Sequence, residues 1–264
     1  MEALNRGEYT GEIILRRQFE DAIVTHTQYA LTTQASDWHY HENLHICFVF
    51  QGGRSDTSRQ SQYTEKGGSL FFYHAEEKHR WTAFEPIAKS ANIEIGLDFL
   101  QAYGLSEEKI KAALDQRIDA KTLFLKIQKE ILADDADSQM AIQALLLDLV
   151  SMPVPERSVL PPTWVVDLQA LLNDQWNEEL SLEAIAAIIK VHPVTISKYF
   201  RKYFFCTLGE YRRKLKIERS ITLIKHGEMS LSEIAFYCDF SDQSHFTRNF
   251  KASTGFLPKD FRSF

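Results

Sequence analysis

The chain has 264 residues, of which 44% are hydrophobic and 25% are charged, and its formal net charge is −6. These values are ordinary for a globular protein with one or two cores, so extensive disorder is not expected. The sequence starts with polar residues, and no apolar run reaches the length of a membrane span, which predicts a cytoplasmic protein with no membrane partner. The three cysteines are far apart in the sequence, and we expect reduced core residues: Cys47, Cys206 and Cys238.

Short strands are predicted through residues 12–98, because β-branched and aromatic residues cluster there in segments separated by glycine pairs. The segments are EIILRRQF, LHICFVFQ, SLFFYH and NIEIGLDF, and the pairs are Gly52-Gly53 and Gly67-Gly68. Many short strands joined by glycine turns favour a barrel or a sandwich.

Helical spacing begins after these strands and continues to about residue 151. Ser106, followed by Glu107 and Glu108, is typical of a helix start, and QMAIQALLLDLVS is apolar over most of a helix surface. Four of the seven prolines then occur within SMPVPERSVLPPT, residues 151–163. Proline interrupts both helices and strands, so this segment is predicted to be a linker, and the rest of the chain is predicted to be helical.

The predicted fold is therefore α+β, with a β-barrel or sandwich and trailing helices followed by an all-α domain. The predicted units are a strand-rich unit at 1–103, a helical segment at 104–152, a linker at 153–163 and a helical domain at 164–264.

The last unit contains an internal repeat. Ile185-Ala186 recur as Ile234-Ala235 at an offset of 49, and Ser197-Lys198 recur as Thr247-Arg248 at an offset of 50. Each copy reads as helix, short turn, helix, with one extra residue in the second turn, and alanine allows the helices to approach closely. The repeat predicts two helix-turn-helix units.

Helix starts are marked throughout this repeat. Side chains that favour helix N-termini are Ser181 and His192-Pro193 in the first copy, Thr207 with Glu210 between the copies, and Ser230 with Glu233 and Ser241 in the second. Ile217, Ile221 and Ile224 form an apolar stripe at helical spacing. One long helix is therefore predicted to join the two units.

Charge indicates what the units bind. Residues 190–225 contain ten basic and two acidic residues within an acidic chain, which is typical of a surface that binds a polyanion. In the second copy Phe246 and Phe250 are spaced to face inward, while an outward set can hydrogen-bond to bases: Gln243, Ser244, His245 and Arg248. A single helix of this kind is often only a solvated amphipathic helix, but two at matched spacing favour a DNA-binding function. The two units would then enter major-groove segments roughly 34 Å apart.

Residues 164–264 resemble the DNA-binding domain of the AraC/XylS family of transcription regulators. The segments that carry the resemblance are LEAIA, SKYFRKYF and LGEYRRKLKIERS in the first half, and LSEIAFYCDFSDQSHFTRNFKASTGFLPKDFR in the second. The resemblance implies recognition helices at 193–203 and 242–252. It implies base contacts from Val194, Thr195, Lys198, Gln243, Ser244 and Arg248. By the same analogy, the phosphate contacts are Arg201, Lys202, Arg212 and Arg213.

The sequence departs from the family pattern mainly in the first unit. The family usually has glycine in each turn, whereas this chain has Lys190 and Asp239. Aspartate tolerates the left-handed conformation better than lysine does, so the first turn is expected to be strained or differently shaped. Phe205 and Leu208 also replace the usual glycine and proline after the first recognition helix, while Gly255 and Pro258 keep them after the second.

The N-terminal strands resemble the cupin barrel with which many AraC-family members sense a small molecule. In WHYHENLHICFVFQGG, His39, His41 and His45 share parity and would share one face of a continuous strand. His79, in HAEEKHRW, occupies the place of the second cupin motif's histidine. The set Leu44, Ile46, Phe48 and Phe50 is more apolar, so alternation alone does not decide which face lines the barrel.

These histidines allow three interpretations. Four neutral imidazoles suit a divalent transition metal such as zinc, copper, nickel or iron. The same side chains can instead line a pocket for an organic effector, or belong to a purely structural barrel. No cofactor is assigned on the sequence alone.

The sequence thus predicts a sequence-specific transcription regulator that responds to an effector in its barrel, and not an enzyme. The alternative is a metal-dependent cupin enzyme with an accessory helical domain. The expected partners are a double-stranded DNA operator, RNA polymerase for an activator, a small-molecule effector, and a second copy of the chain bound through residues 104–152. The expected location is the bacterial cytoplasm, at the nucleoid.

Overall fold

A β-rich N-terminal part is followed by helices in the computed structural model, which describes residues 2–29, 35–58, 62–83, 87–151 and 161–264. The strands are β1 (Glu2–Leu4), β2 (Glu12–Phe19), β3 (Ala22–Tyr29), β4 (His39–His41), β5 (Leu44–Gln51), β6 (Gly53–Ser58), β7 (Gln62–Lys66), β8 (Leu70–Tyr73), β9 (His79–Ala83) and β10 (Ala88–Ile95). The predicted α+β class is confirmed at this level. Most of the predicted linker lies outside the described residues.

The described strands form two five-stranded sheets. The first has the order β1-β4-β9-β6-β7 and the second the order β2-β3-β10-β5-β8. Within the described ranges, no ladder joins the two sheets into the closed barrel that the sequence predicts. The segment NIEIGLDF is also shorter as a strand than predicted, because β10 ends at Ile95 and Gly96 starts a helix.

The second sheet has two different faces, and β5 shows them best. Cys47 and Val49 pack with Tyr73 on one face of this strand. On the other face the Phe48 ring lies 5.5 Å from the Phe124 ring, and the Phe50 ring lies 4.7 Å from the Phe264 ring. The apolar face therefore points towards helices, and the face that carries His45 points away from them, which answers the question that alternation left open.

Four helices follow the sheets: α1 (Leu97–Ala102), α2 (Glu107–Gln116), α3 (Ala120–Ala133) and α4 (Ser138–Val150). The Ser106 side chain accepts a hydrogen bond from the Lys109 backbone N–H, so the predicted helix start is confirmed. Helix α3 is buried along most of its length, and Phe124 and Ile127 have no exposed surface. This helix lies between the second sheet and the C-terminal helices.

Seven helices form the C-terminal part in the described range 161–264: α5 (Thr163–Asp174), α6 (Leu182–Ile189), α7 (Pro193–Phe204), α8 (Leu208–His226), α9 (Leu231–Tyr237), α10 (Gln243–Thr254) and α11 (Pro258–Ser263). Ser181 caps α6, and capping boxes at Thr207–Glu210 and Ser230–Glu233 begin α8 and α9, as predicted. The cap of α10 is Asp242 rather than Ser241, because the Asp242 carboxylate accepts from the His245 backbone N–H.

The two helix-turn-helix units differ in what surrounds their cores. The first has a separate core that includes Leu168, Ile185 and Phe200, and Leu215 of α8 belongs to it. The core of the second is continuous with the apolar face of the second sheet, so Phe250 and Phe48 belong to one cluster. Helix α8 contributes to both cores and joins the units, as the sequence predicts.

Polar contacts connect the start of α3 to the middle of α8. The Lys214 ammonium lies 2.7 Å from the Asp119 carboxylate. One turn further along, Glu218 accepts a hydrogen bond of 3.1 Å from the backbone N–H of Lys121, whose ammonium donates to Thr222. Gly68 must be glycine at this contact, because its φ is +82° and a Cβ would lie 2.7 Å from the Thr222 Cα.

The Glu218 carboxyl makes this junction sensitive to pH. Burial raises its pKa to about 7, and the nearby Lys121 ammonium opposes that shift. The folded chain then holds a proton that the unfolded chain releases, so this group lowers the free energy of unfolding as pH rises from about 5 to about 7. Glu218→Gln keeps the acceptor for Lys121 and removes the ionisation.

We expect Glu218→Gln to flatten the decline in unfolding free energy over that pH range relative to the native chain. Urea denaturation followed at several pH values checks this result. Glu228→Gln is a matched control, because Glu228 is exposed in the loop after α8. Parallel pH profiles for the native chain and the Glu218 variant would contradict the assignment.

Candidate nucleic-acid interface and histidine cluster

The turns of the two helix-turn-helix units match in backbone detail. The Val191 N–H donates to the Ala186 carbonyl at 3.0 Å, and the Phe240 N–H donates to the Ala235 carbonyl at 2.9 Å. Both alanines are buried where the helices meet. Before each bond the chain turns through a left-handed residue, so the repeat at an offset of 49 is confirmed.

Both left-handed turn residues are departures from glycine that the sequence indicated. Lys190 and Asp239 each have φ of +56°. The Asp239 carboxylate accepts a hydrogen bond from the Lys216 ammonium of α8, and this contact stabilises the second turn. The structure gives Lys190 the same left-handed conformation as Asp239, so the first turn begins as the second does in spite of its less tolerant residue.

Helices α7 and α10 are the second helices of the two units, and they match at an offset of 50. Ile196 and Phe200 of α7 are buried in the first core, and Phe246 and Phe250 of α10 are buried in the second. The extra residue in the second turn is therefore confirmed. Both helices start close to the predicted positions and end slightly later than predicted.

The outward face of α7 carries the predicted residues of the first unit. Val194 is 64% exposed, Lys198 is exposed and Thr195 is half-buried. Arg201 and Lys202 follow one turn later and are exposed near the C-terminus of the helix. Cationic and apolar groups thus share one accessible surface on this helix.

The outward face of α10 is partly organised by hydrogen bonds. Gln243, Ser244 and Arg248 are exposed. The Gln243 carbonyl oxygen accepts from the Ser232 hydroxyl at 2.7 Å, which orients the amide and leaves its NH₂ group free to donate outward. His245 is half-buried, with its Nδ1 3.1 Å from the Ser241 hydroxyl, so it is the least accessible of the predicted base-contacting set.

Arg212 has a role that the sequence did not predict. Its guanidinium donates to the backbone carbonyl oxygens of Glu178 and Leu180, the latter at 3.0 Å, and so holds the segment before α6 against α8. The guanidinium is therefore used inside the domain, unlike those of Arg201 and Arg213, which are exposed. These carbonyl groups lie 32 and 34 residues from Arg212, beyond the range of any local sequence signal.

The predicted histidines come together in the N-terminal part. His39 pairs with His79 across the β4–β9 ladder, and His41 lies two residues further along β4. One nitrogen from each of the three rings lies within 4.8 Å of the others, and all three residues are buried. The His45 ring centroid lies 4.4 Å from that of His41.

The parity argument for these histidines needs a correction. His39 and His41 lie on β4 of the first sheet, whereas His45 lies on β5 of the second. The four residues therefore do not share one continuous strand. They meet because the two sheets face each other across the cavity that these histidines line.

Backbone carbonyls orient two of the rings. Nδ1 of His39 is 2.9 Å from the Asp37 carbonyl oxygen, and Nδ1 of His79 is 3.0 Å from the Glu77 carbonyl oxygen. A carbonyl can only accept, so Nδ1 carries the hydrogen in each ring. In the neutral tautomer this leaves Nε2 with the lone pair.

Sequence reasoning missed several other residues of this cavity. They are Tyr9, Thr10, Tyr29 and Asn92. The segment around Tyr9 gave no periodic signal, and it is held near the sheets by the Gly7 N–H, which donates to the Glu94 carboxylate at 2.7 Å. Tyr73 and Trp81 also line the cavity.

Comparison with known proteins finds relatives that match most of the chain. A model described as a helix-turn-helix domain matches residues 185–263. The transcriptional activator RhaS of Shigella sonnei is 21% identical over 240 residues, which cover 85% of this chain and 86% of RhaS. RhaS of Klebsiella pneumoniae is 22% identical over the same share of both chains. These matches support the assignment of the chain as a transcription regulator of the AraC/XylS family.

Solved structures similar to this chain include ToxT from Vibrio cholerae. That structure is 12% identical, covers 92% of this chain and 98% of its own, and has a TM-score of 0.37. An AraC-type DNA-binding domain from Chromobacterium violaceum is 22% identical, covers 38% of this chain and 90% of its own, and has a TM-score of 0.37. Among the described helices, none is both long and apolar enough to cross a membrane.

The residue after each recognition helix allows a matched pair of substitutions. Phe205 is half-exposed with φ of +56°, and Gly255 has φ of +82°. A left-handed conformation is unfavourable for a bulky side chain and free for glycine. We expect Phe205→Gly to raise the free energy of unfolding by about 0.5–1 kcal/mol, after the added flexibility of the unfolded chain is subtracted.

Gly255→Ala should do the reverse. It should lower the free energy of unfolding by about 1–2 kcal/mol because alanine resists this conformation. Its Cβ would also lie 2.9 Å from Cγ of Lys129 on α3. Chemical denaturation of both variants beside the native chain provides the measurement, and a loss of stability in Phe205→Gly would show that Phe205 packing outweighs its backbone cost.

Proposed function

We propose that this AraC/XylS family regulator binds a double-stranded DNA operator through both α7 and α10, and that its N-terminal part is a cupin-like sensor domain. The observation that carries the proposal is the pair of equivalent helix-turn-helix units. Each unit exposes polar and cationic side chains at the start of its second helix, while the apolar side of that helix is buried.

The exposed side chains have the chemistry for reading base edges. Arg248 can donate two hydrogen bonds to guanine, and the oriented amide of Gln243 can donate to an acceptor on adenine, guanine or thymine. On α7, the Val194 methyl groups suit contact with the thymine methyl group, and Lys198 suits guanine. Ser244 and Thr195 lie beside these residues with hydroxyl groups that bind either donors or acceptors.

Phosphate contacts are proposed for three of the four basic residues in the predicted set. Arg201, Lys202 and Arg213 are exposed around the first unit. Cations at these positions would hold the unit on the duplex without reading sequence. Arg212 is left out, because its guanidinium binds carbonyl groups of the domain itself.

The N-terminal sensor can act on DNA binding through the second unit. Strand β5 lines the histidine cavity with one face and supports Phe261 and Phe264 with the other. Suppose that the two sheets can adopt two arrangements and that an effector in the cavity binds more tightly to one of them. The effector would favour that arrangement and so shift the position of the second unit. The first unit, which has a separate core, would respond through α8.

The remaining partners are proposed by analogy with the family. A second copy would bind through α2 and α4 of the 104–152 segment, because α3 is already buried inside the chain. RNA polymerase would be a partner if the protein activates transcription. The proposed location is the bacterial cytoplasm, at the nucleoid.

Arg248 provides a direct test of base reading. We expect Arg248→Ala to weaken binding to the specific operator by about 1–3 kcal/mol and to relax preference at one base position. Arg248→Lys should retain much of the affinity, since it keeps the charge, but lose that preference, since lysine lacks the two-pronged donor geometry. Selection of binding sites from random DNA measures the base preference, and titration of the selected sites measures the affinity. Unchanged selectivity in both variants would contradict a base contact by Arg248.

Arg213 provides the test of phosphate contact. Arg213→Ala should weaken binding to all DNA sequences by a similar factor, and it should reduce the slope of log K against log salt by about 0.9. Arg17→Ala is a control on β2, where Arg17 is exposed and pairs with Asp134. A loss confined to one operator sequence would show that Arg213 reads bases instead.

A further inference from the structure

We propose that five side chains around α8 form a bracket that fixes the angle between the two helix-turn-helix units, and that this bracket sets the spacing of operator half-sites that the protein accepts. The inference rests on the proposed function, because it requires α7 and α10 to contact the same DNA. The residues of the bracket are Arg212 and Lys216 on α8, Trp176 between α5 and α6, Tyr237 at the end of α9, and Asp239 in the following turn.

Arg212 holds the part of the bracket that belongs to the first unit. Its guanidinium donates to the carbonyl oxygens of Glu178 and Leu180, the latter at 3.0 Å. These carbonyl groups lie two and four residues after Trp176. The Trp176 side chain is partly buried and packs against the cores of both units. Arg212 therefore fixes the segment that carries this indole ring.

Lys216 holds the part that belongs to the second unit. It lies four residues after Arg212 and so on the same face of α8. Its ammonium donates to the Asp239 carboxylate and, at 3.1 Å, to the Asp239 carbonyl oxygen. The Lys216 side chain is only 13% exposed, so salt screens this ion pair less than it would screen a pair at the surface.

A contact between two aromatic rings closes the bracket. The Trp176 ring lies 5.7 Å from the Tyr237 ring in an edge-to-face arrangement, which is a favourable geometry for aromatic pairs. Tyr237 lies two residues before Asp239 in the chain. The contacts thus run from α8 to the first unit, on to the second unit and back to α8. A rotation of one unit relative to the other would have to break the ring contact or one of the cationic contacts.

The residue in the second turn shows that the ion pair has a backbone cost. Asp239 has φ of +56°, a conformation that glycine adopts freely and that costs free energy in a residue with a Cβ. Glycine, however, would offer Lys216 no carboxylate. The equivalent residue of the first unit is Lys190, which cannot form an ion pair with a cation of α8. Only the second turn therefore carries a carboxylate for this contact.

The angle between the units matters because DNA is helical. One base pair added between two half-sites moves the second half-site by about 3.4 Å and rotates it by about 34–36°. A protein that holds α7 and α10 at a fixed angle can engage both half-sites at one spacing, whereas a looser protein can follow the change. When both units cannot engage at once, the affinity gained by linking them is lost.

Operators that differ only in spacing test the bracket. The half-sites come from binding sites selected with the native chain, and base pairs are inserted between them or deleted one at a time. The spacing penalty is the Kd for the operator with one inserted base pair divided by the Kd for the selected operator. Both values are measured on the same sample. Unfolded protein lowers the apparent affinity for both operators equally, so this ratio reports positioning and not stability.

The variants remove the contacts of the bracket separately. Lys216→Met removes the ammonium, and Lys216→Arg keeps a cationic donor. Tyr237→Leu removes the ring at a position that is 48% exposed. The control is Arg219→Met, because Arg219 is an exposed cation on the same helix.

We expect a spacing penalty of about tenfold or more in the native chain, in Lys216→Arg and in Arg219→Met, since linking two binding units raises affinity by about 10²–10⁴-fold. In Lys216→Met and Tyr237→Leu the penalty should fall by about threefold or more, because the units gain freedom to follow the DNA. The base preference within each half-site should stay the same. An unchanged penalty in both of these variants, or an equal fall in Arg219→Met, would overturn the bracket.

The native chain separates this inference from the proposed function. Specific DNA binding with a spacing penalty that both variants retain would overturn the bracket and leave the proposed function intact. Specific binding by the native chain without any spacing penalty would also overturn the bracket. Absence of sequence-specific binding by the native chain would contradict the proposed function, and this inference with it.

Discussion

The contact on which the rest of the structure depends is the packing of the second sheet's apolar face against helices from both halves of the chain. Phe48 stacks on Phe124 of α3, and Phe50 contacts Phe261 and Phe264 at the C-terminus. Side chains alternate along a strand, so β5 must turn His45 and Cys47 to the opposite side. The histidine cavity and the second helix-turn-helix unit are consequently separated by the thickness of a single sheet.

This packing makes the two DNA-binding units unequal. The second unit completes the core of the N-terminal part, and removing it would expose Phe48 and Phe50 to water. The first unit has a core of its own and is joined to the rest through α8, which contributes to both cores. A change in the sheets would therefore act on the second unit more directly than on the first.

The junction between α3 and α8 shows how closely the halves are joined. Lys214 pairs with Asp119, while Glu218 accepts from the Lys121 backbone in a position where burial raises its pKa to about 7. Burying a carboxyl beside an ammonium is costly unless both are paired, so the arrangement depends on the two helices staying in register. The same contacts that hold α8 in place would resist any movement that separates the units.

The sequence by itself determined the local features: the capping boxes, the repeat at offsets of 49 and 50, and the resemblance of the C-terminal half to the AraC/XylS family. Each of these depends on residues only a few positions apart, or on a pattern that repeats along the chain. Only the tertiary structure decided which face of β5 lines the cavity, that Arg212 binds the Leu180 carbonyl, and that His45 meets His41 from another sheet. These outcomes depend on how separate elements pack together, and neither periodicity nor spacing along one element specifies that packing.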